Sequence, residues 1–211
     1  MAYDLQEQEQ MASMKAWWEK YGNFILTVAT LVLLAIAAYN GWRWYERREA
    51  LQAAGVYEEL LKALTGADAD RKKELAGTII ERYGSTVYAS LAALQMARVN
   101  HDAGDSAAAR AQLQWVIDKS GHEEYVLVAR LRLAGVLLDE KAYDEALKVL
   151  SGTVPRAHAT AFADRRGDVL AAQNKLEEAR AAYKEALDQA DAQHPLRNLI
   201  QLKLDSLPAA S

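Results

Sequence analysis

The hydrophobic positions of this chain follow two different patterns, and the change comes near residue 45. Between Tyr21 and Trp42 no side chain is charged; Arg43, Glu46, Arg47, Arg48 and Glu49 then arrive together. A run of 22 residues makes about 33 Å of α-helix, which matches a hydrocarbon core of ~30 Å. The core helix of a water-soluble domain would carry a polar stripe, and here, between Asn23 and Asn40 near its ends, only Thr27 and Thr30 interrupt the run. Trp17, Trp18 and Tyr21 stand before it, and Tyr39, Trp42, Trp44 and Tyr45 after it. Amphipathic rings in two groups one membrane thickness apart form interfacial belts. Trp17, Trp18, Tyr21, Trp42, Trp44 and Tyr45 are therefore the expected membrane-interface residues.

Ala35-Ile36-Ala37 has the small-x-small form of a signal-peptide cleavage site. The residues before the run are too many and too acidic for a cleavable leader: Asp4, Glu7, Glu9 and Glu19 against Lys15 and Lys20. A retained span is expected. Its sidedness is nearly balanced, with Lys15 and Lys20 before it and Arg43, Arg47 and Arg48 after it. Taken alone, that one-charge bias keeps the larger part of the chain in the cytoplasm.

Beyond Trp44 the apolar period becomes helical and amphipathic. Leu51, Ala54, Tyr57, Leu60, Leu61 and Leu64 fall at steps of three and four, so the spanning helix is expected to continue as the first helix of the following domain. Thr65-Gly66-Ala67-Asp68 ends it, with Asp68 as the N-cap of a second helix carrying Leu75, Ile79, Ile80 and Tyr83. After Gly84-Ser85 the chain repeats. The segments AGDSAAARAQL (103–113), EKAYDEALKVL (140–150) and QNKLEEARAAY (173–183) share a turn, a polar first helical turn, an alanine and a large apolar residue. The alanines are Ala109, Ala146 and Ala179, and twelve residues before each lies Ala97, Ala134 or Gly167. These six are the expected repeat-packing residues, small enough to let two helices approach closely. Leu113, Leu150 and Tyr183 take the large position.

Helices are expected at 86–102, 123–139 and 158–172 (helix A of each repeat) and at 105–118, 143–151 and 175–190 (helix B). Pro195 to Leu207 supplies a terminal cap, which a solenoid needs to cover its last apolar face. The fold class is all-α: one N-terminal transmembrane helix followed by a tetratricopeptide-like helical-repeat solenoid. The expected divisions are a short tail at 1–20, the transmembrane helix at 21–44 and the repeat domain at 45–211.

Composition narrows the function. Hydrophobic residues make up 51% and charged residues 26%, so the apolar excess is local to the span. The net charge of -4 includes no basic patch, and no nucleic-acid partner is expected. Cysteine is absent, which removes disulfides and thiolate chemistry. His101, His122, His158 and His194 lie too far apart in sequence to form a local metal pair. No phosphate loop, nucleophile elbow or dinucleotide turn occurs. Arg166-Gly167-Asp168 spells an adhesion tripeptide, but Gly167 falls on a helix-packing position. No catalytic, cofactor or metal residue is expected, and the chain reads as a non-enzymatic interaction protein anchored to a lipid bilayer. Solenoids of helix pairs offer a concave surface to peptides or helices.

Trp17-Trp18-Glu19-Lys20-Tyr21-Gly22, the span, and Gly41-Trp42-Arg43-Trp44-Tyr45 resemble the start of YfgM-type proteins, the ancillary subunits of the bacterial SecYEG translocon. Tyr88-Ala89-Ser90-Leu91-Ala92-Ala93-Leu94 resembles the family's first full repeat. Phe162 to Val169 followed by Ala179-Arg180-Ala181-Ala182-Tyr183 is similar to its most characteristic segment. The resemblance covers essentially the whole chain. It implies a single-pass inner-membrane protein with residues 1–20 cytoplasmic and a periplasmic repeat domain. The partners it implies are the SecYEG translocon, a PpiD-like periplasmic chaperone and newly translocated or unfolded client proteins. This sidedness runs against the one-charge bias. The alternative from that bias is a cytoplasm-facing tetratricopeptide scaffold for membrane complex assembly or stress-response regulation.

Overall fold

A computed structural model describes the backbone of residues 2–208 and the side chains of 9–208. Met1, the side chains of Asp4 and Glu7 in the expected tail, and residues 209–211 of the expected repeat domain lie outside the described residues. The described residues form nine α-helices and no strand. The chain divides into two units, one up to Glu49 and one from Ala50 onward.

The first unit is the leading part of α1 (Ala2–Leu64). Along its apolar stretch the large side chains are exposed: Phe24, Leu31, Leu33 and Leu34 are each at least 60% exposed. Its most apolar stretch is 6% buried, so this part of α1 is no core helix, and it is long and apolar enough to cross a membrane. The hydroxyls of Thr27 and Thr30 donate to the carbonyls of Asn23 and Leu26 at 2.7 and 2.8 Å. Both polar groups are thereby satisfied within the helix, as an apolar environment requires.

The second unit takes the end of α1 and adds α2 (Ala69–Arg82), α3 (Val87–Asp102), α4 (Ser106–Lys119), α5 (Glu123–Asp139), α6 (Tyr143–Leu150), α7 (Arg156–Ala172), α8 (Leu176–Gln189) and α9 (Arg197–Ser206). Asp68 caps α2, accepting from the Arg71 N–H at 3.0 Å. Helix α7 starts two residues before the expected 158. The preset φ of Pro155 (-55°) allows the helix to begin at once, and its carbonyl accepts from the His158 N–H at 2.9 Å. Helix α6 has only eight residues. The Arg130 Nε donates to the Val149 carbonyl at 2.8 Å, Nη2 reaches that of Ser151, and the guanidinium lies 4.9 Å from the Phe162 ring centre. Carbonyls left over at a helix end are satisfied this way.

Each repeat closes its A–B turn with the same device. Gly104, Lys141 and Asn174 all have positive φ (80°, 61° and 61°). The following N–H groups of Asp105, Ala142 and Lys175 donate back to Asn100, Leu137 and Leu170 at 2.8, 2.8 and 2.9 Å. These are Schellman closures, for which glycine and asparagine are favoured and lysine is not. Lys141→Gly is expected to raise stability by about 0.5 kcal/mol, the relief of left-handed strain less the added chain entropy. A chemical-denaturation midpoint that moves down would contradict it.

The buried apolar residues form three clusters along the solenoid. One centres on Leu60, Leu75 and Ile79, the next on Leu113, Leu133 and Leu137, and the last on Ala182, Tyr183 and Ile200. Trp115 packs against both of the first two, and Leu147 against the second and third. Each cluster is thus joined to the next by a large side chain they share, and the contacts run from neighbour to neighbour as in other one-dimensional stacks.

Candidate functional site

The repeat-packing residues occupy the interior. Ala97 is 3% exposed, Ala109, Ala134, Ala146 and Ala179 are 0% exposed, and Gly167 is buried. A Cβ added at Gly167 would lie 2.4 Å from Cε1 of Tyr183. Leu113, Leu150 and Tyr183 are also buried. Arg166-Gly167-Asp168 lies inside α7, where Arg166 pairs with Glu185 and Asp168 accepts from the Tyr183 hydroxyl at 2.9 Å.

In the first unit, Trp17, Trp18, Tyr21, Trp42, Trp44 and Tyr45 are all exposed. Several carry a polar or cationic neighbour beside the ring. The Trp42 Nε1–H donates to Glu46 at 2.7 Å, Arg48 lies 5.4 Å from the Trp44 ring centre, and Lys20 lies 5.3 Å from that of Tyr21. These three rings thus pair an apolar body with a polar or charged neighbour.

A groove of about 360 Å³ opens on the second unit. Besides packing on its own B helix, α5 touches both α3 and α7, so the A helices form the inner row of the stack. The groove lies on this row. Its apolar floor includes Ala97, Leu113 and Val136, and Arg98, Arg132 and Arg165 stand on its walls. The Arg132 Nη1 donates to the Leu94 carbonyl at 3.1 Å. Enclosure by protein, and then the charge of Arg98, push the Arg132 guanidinium below its ordinary range. His101 and Asp139 approach to 3.6 Å at one end of the groove. Arg165 lies over Gly135, with Nη1 3.8 Å from where a Cβ would stand. The three arginines were overlooked in the sequence although a signal was there: they recur at intervals of 34 and 33 residues, the repeat period itself.

Among the described residues no cluster of three or more His, Asp or Glu side chains could hold a metal ion. The arrangement can bind through shape and charge.

Paired helices with small residues at their contacts, stacked in series behind a helix able to cross a membrane, define a membrane-type tetratricopeptide repeat-like protein. The tetratricopeptide repeat-like domain family matches residues 15–209. Similarity to curated proteins runs the length of the chain. It is 32% identical to the ancillary SecYEG translocon subunit of Neisseria gonorrhoeae, over 98% of this chain and 100% of the relative. It is 27% identical to those of Aggregatibacter actinomycetemcomitans, over 98% and 100%, and of Escherichia coli, over 95% and 96%. The chain belongs to the ancillary SecYEG translocon subunit family, whose members carry this tetratricopeptide repeat-like domain. No solved structure gives a significant match.

Proposed function

We propose that this chain is a non-enzymatic, membrane-anchored interaction protein that works at the SecYEG translocon. The single observation carrying this reading is the end-to-end similarity to relatives that bear that name. In this reading residues 21–44 cross the inner membrane, the six interface aromatics sit at its two surfaces, and residues 1–20 are cytoplasmic. Residues 45–211 face the periplasm, where they bind a PpiD-like chaperone and receive newly translocated proteins. A domain tethered in the same membrane as its partner gains effective concentration without any new contact. The second reading, a cytoplasm-facing scaffold, is favoured only by Arg43, Arg47 and Arg48 against Lys15 and Lys20.

Protease added to intact spheroplasts, with photo-cross-linking from positions beside Trp42, tests both parts. A C-terminal tag should be lost while a cytoplasmic control survives, and the cross-linker should capture a translocon subunit. A tag protected until lysis would move the domain to the cytoplasm and favour the scaffold. Failure to cross-link from every position tested would sink the translocon role.

A further inference from the structure

We propose that the groove on α3, α5 and α7 binds an acidic segment of a partner polypeptide, with Arg132 as the central anchor and Arg98 and Arg165 on either side. This reading goes beyond translocon association and holds on either side of a membrane. Formal charge is the first observation. The chain as a whole carries -4, yet three arginines line this groove against one carboxylate, Asp139. Arginine presents a planar fork of donors that fits a carboxylate in bidentate fashion.

The second observation is that these forks are poorly used within the chain. Arg132 has no carboxylate within ion-pair distance among the described residues. Arg98 reaches Asp102 at 3.7 Å and Arg165 reaches Asp168 at 3.6 Å. Both are long beside the ~2.7–2.9 Å of a charge-assisted hydrogen bond. Asp168 is instead engaged by Lys203 at 2.7 Å and by Tyr183 at 2.9 Å. Arg98 and Arg132 also repel each other across the groove, a cost that a bound anion offsets.

Geometry selects a polypeptide as the occupant. The arginines come from three successive helices, and packed helices lie about 8–10 Å apart. A chain in the polyproline II form has three residues per turn and rises about 3.1 Å per residue, so carboxylates three residues apart share one face at about 9 Å and would meet neighbouring arginines. The apolar floor suits the side chains between them. A lone phosphate headgroup would satisfy Arg132 and leave this ladder unused.

The test uses the full chain in nonionic detergent micelles and fluorescent twelve-residue peptides in a Ser/Ala background. One peptide carries aspartate at every third position, and another carries asparagine there. Anisotropy should show the acidic peptide binding and the asparagine peptide at least about tenfold weaker, the scale of one charge-assisted contact. Arg132→Gln should weaken the acidic peptide about tenfold, while Lys184→Gln on exposed α8 leaves it unchanged. Arg98 is mostly exposed, so Arg98→Gln reports independently should Arg132→Gln unfold, and it too should weaken binding. Equal binding of the two peptides, or unchanged binding in both arginine variants, would overturn the proposal. So would a groove that ignores the acidic peptide and binds glycerol phosphate, with loss in Arg132→Gln, since the ligand would then be an anionic headgroup.

Discussion

Gly167→Ala is expected to destabilise the repeat domain by about 2 kcal/mol, although alanine normally improves a helix interior by about 0.5–1 kcal/mol. The new methyl group would sit 2.4, 2.6 and 2.9 Å from three carbons of the Tyr183 ring. That ring cannot yield cheaply, because it is 3% exposed and its hydroxyl is held by Asp168 at 2.9 Å. Overpacking of this kind forces α7 and α8 apart. For a domain of this size the thermal midpoint should fall by about 4–8 °C, read by circular dichroism in micelles. Gly77→Ala is the matched control: it lies inside α2 with nothing within 4 Å of an added Cβ. It should raise the midpoint. Truncating the ring with Tyr183→Leu should also reduce the penalty of Gly167→Ala, because the methyl group then has room; equal penalties in the two backgrounds would refute the contact.

Lys203→Met is expected to cost about 2–4 kcal/mol, because it strands two carboxylates that the fold brings together. The Lys203 Nζ lies 2.8 Å from Asp164 and 2.7 Å from Asp168, joining α9 to α7. The side chains of Asp164, Asp168 and Lys203 are 11%, 17% and 25% exposed, so solvent relieves only part of the loss. Helix α9 should fray first, visible as faster amide exchange over residues 197–206. The deficit should also depend on pH. Burial raises the Asp164 carboxyl above its usual 3.8, with Asp168 adding to the rise, while Lys203 opposes it. The protonated form of Asp164 is therefore the one the fold prefers. Its contribution is fully present below about pH 3.8 and is lost as pH rises through the folded-state value. Without Lys203 that loss deepens at neutral pH, so the gap between variant and parent should be widest at pH 7 and shrink toward pH 4. A gap independent of pH would show that Lys203 acts by packing alone.

Neighbouring groups also explain what the other contacts at this end do. Burial, and then Asp168, hold the Tyr183 phenol far above its ordinary range, so it stays a hydrogen-bond donor at any working pH. Arg197 donates to the carbonyls of Leu187 and Ala190 at 3.0 and 2.9 Å, closing the end of α8. Ile200, 0% exposed, then completes the last apolar cluster.

Periodicity and composition were enough for the all-helical class, the N-terminal apolar helix and the order of helix pairs, because these depend on local spacing. An uncharged run from Tyr21 to Trp42 reads the same in any context, and Asp68 caps a helix by reaching three residues ahead. Boundaries moved where a rigid residue intervened, as at Pro155. The small size of Gly167 could be read from its place in the repeat, but not the reason that an alanine would fail there; that depends on a ring sixteen residues away. Lys141 gives no local sign of a left-handed turn, since only the closing hydrogen bond from Ala142 to Leu137 demands one. The Asp164–Asp168–Lys203 cluster joins residues up to 39 positions apart, and the arginines of the groove come from three separate helices. Local pattern thus determined which helices form and in what order. The repeat period marked the arginines as equivalent positions, but only tertiary packing decided which charges meet in the interior and that these three face one groove, because helix stacking brings together side chains that lie on separate helices.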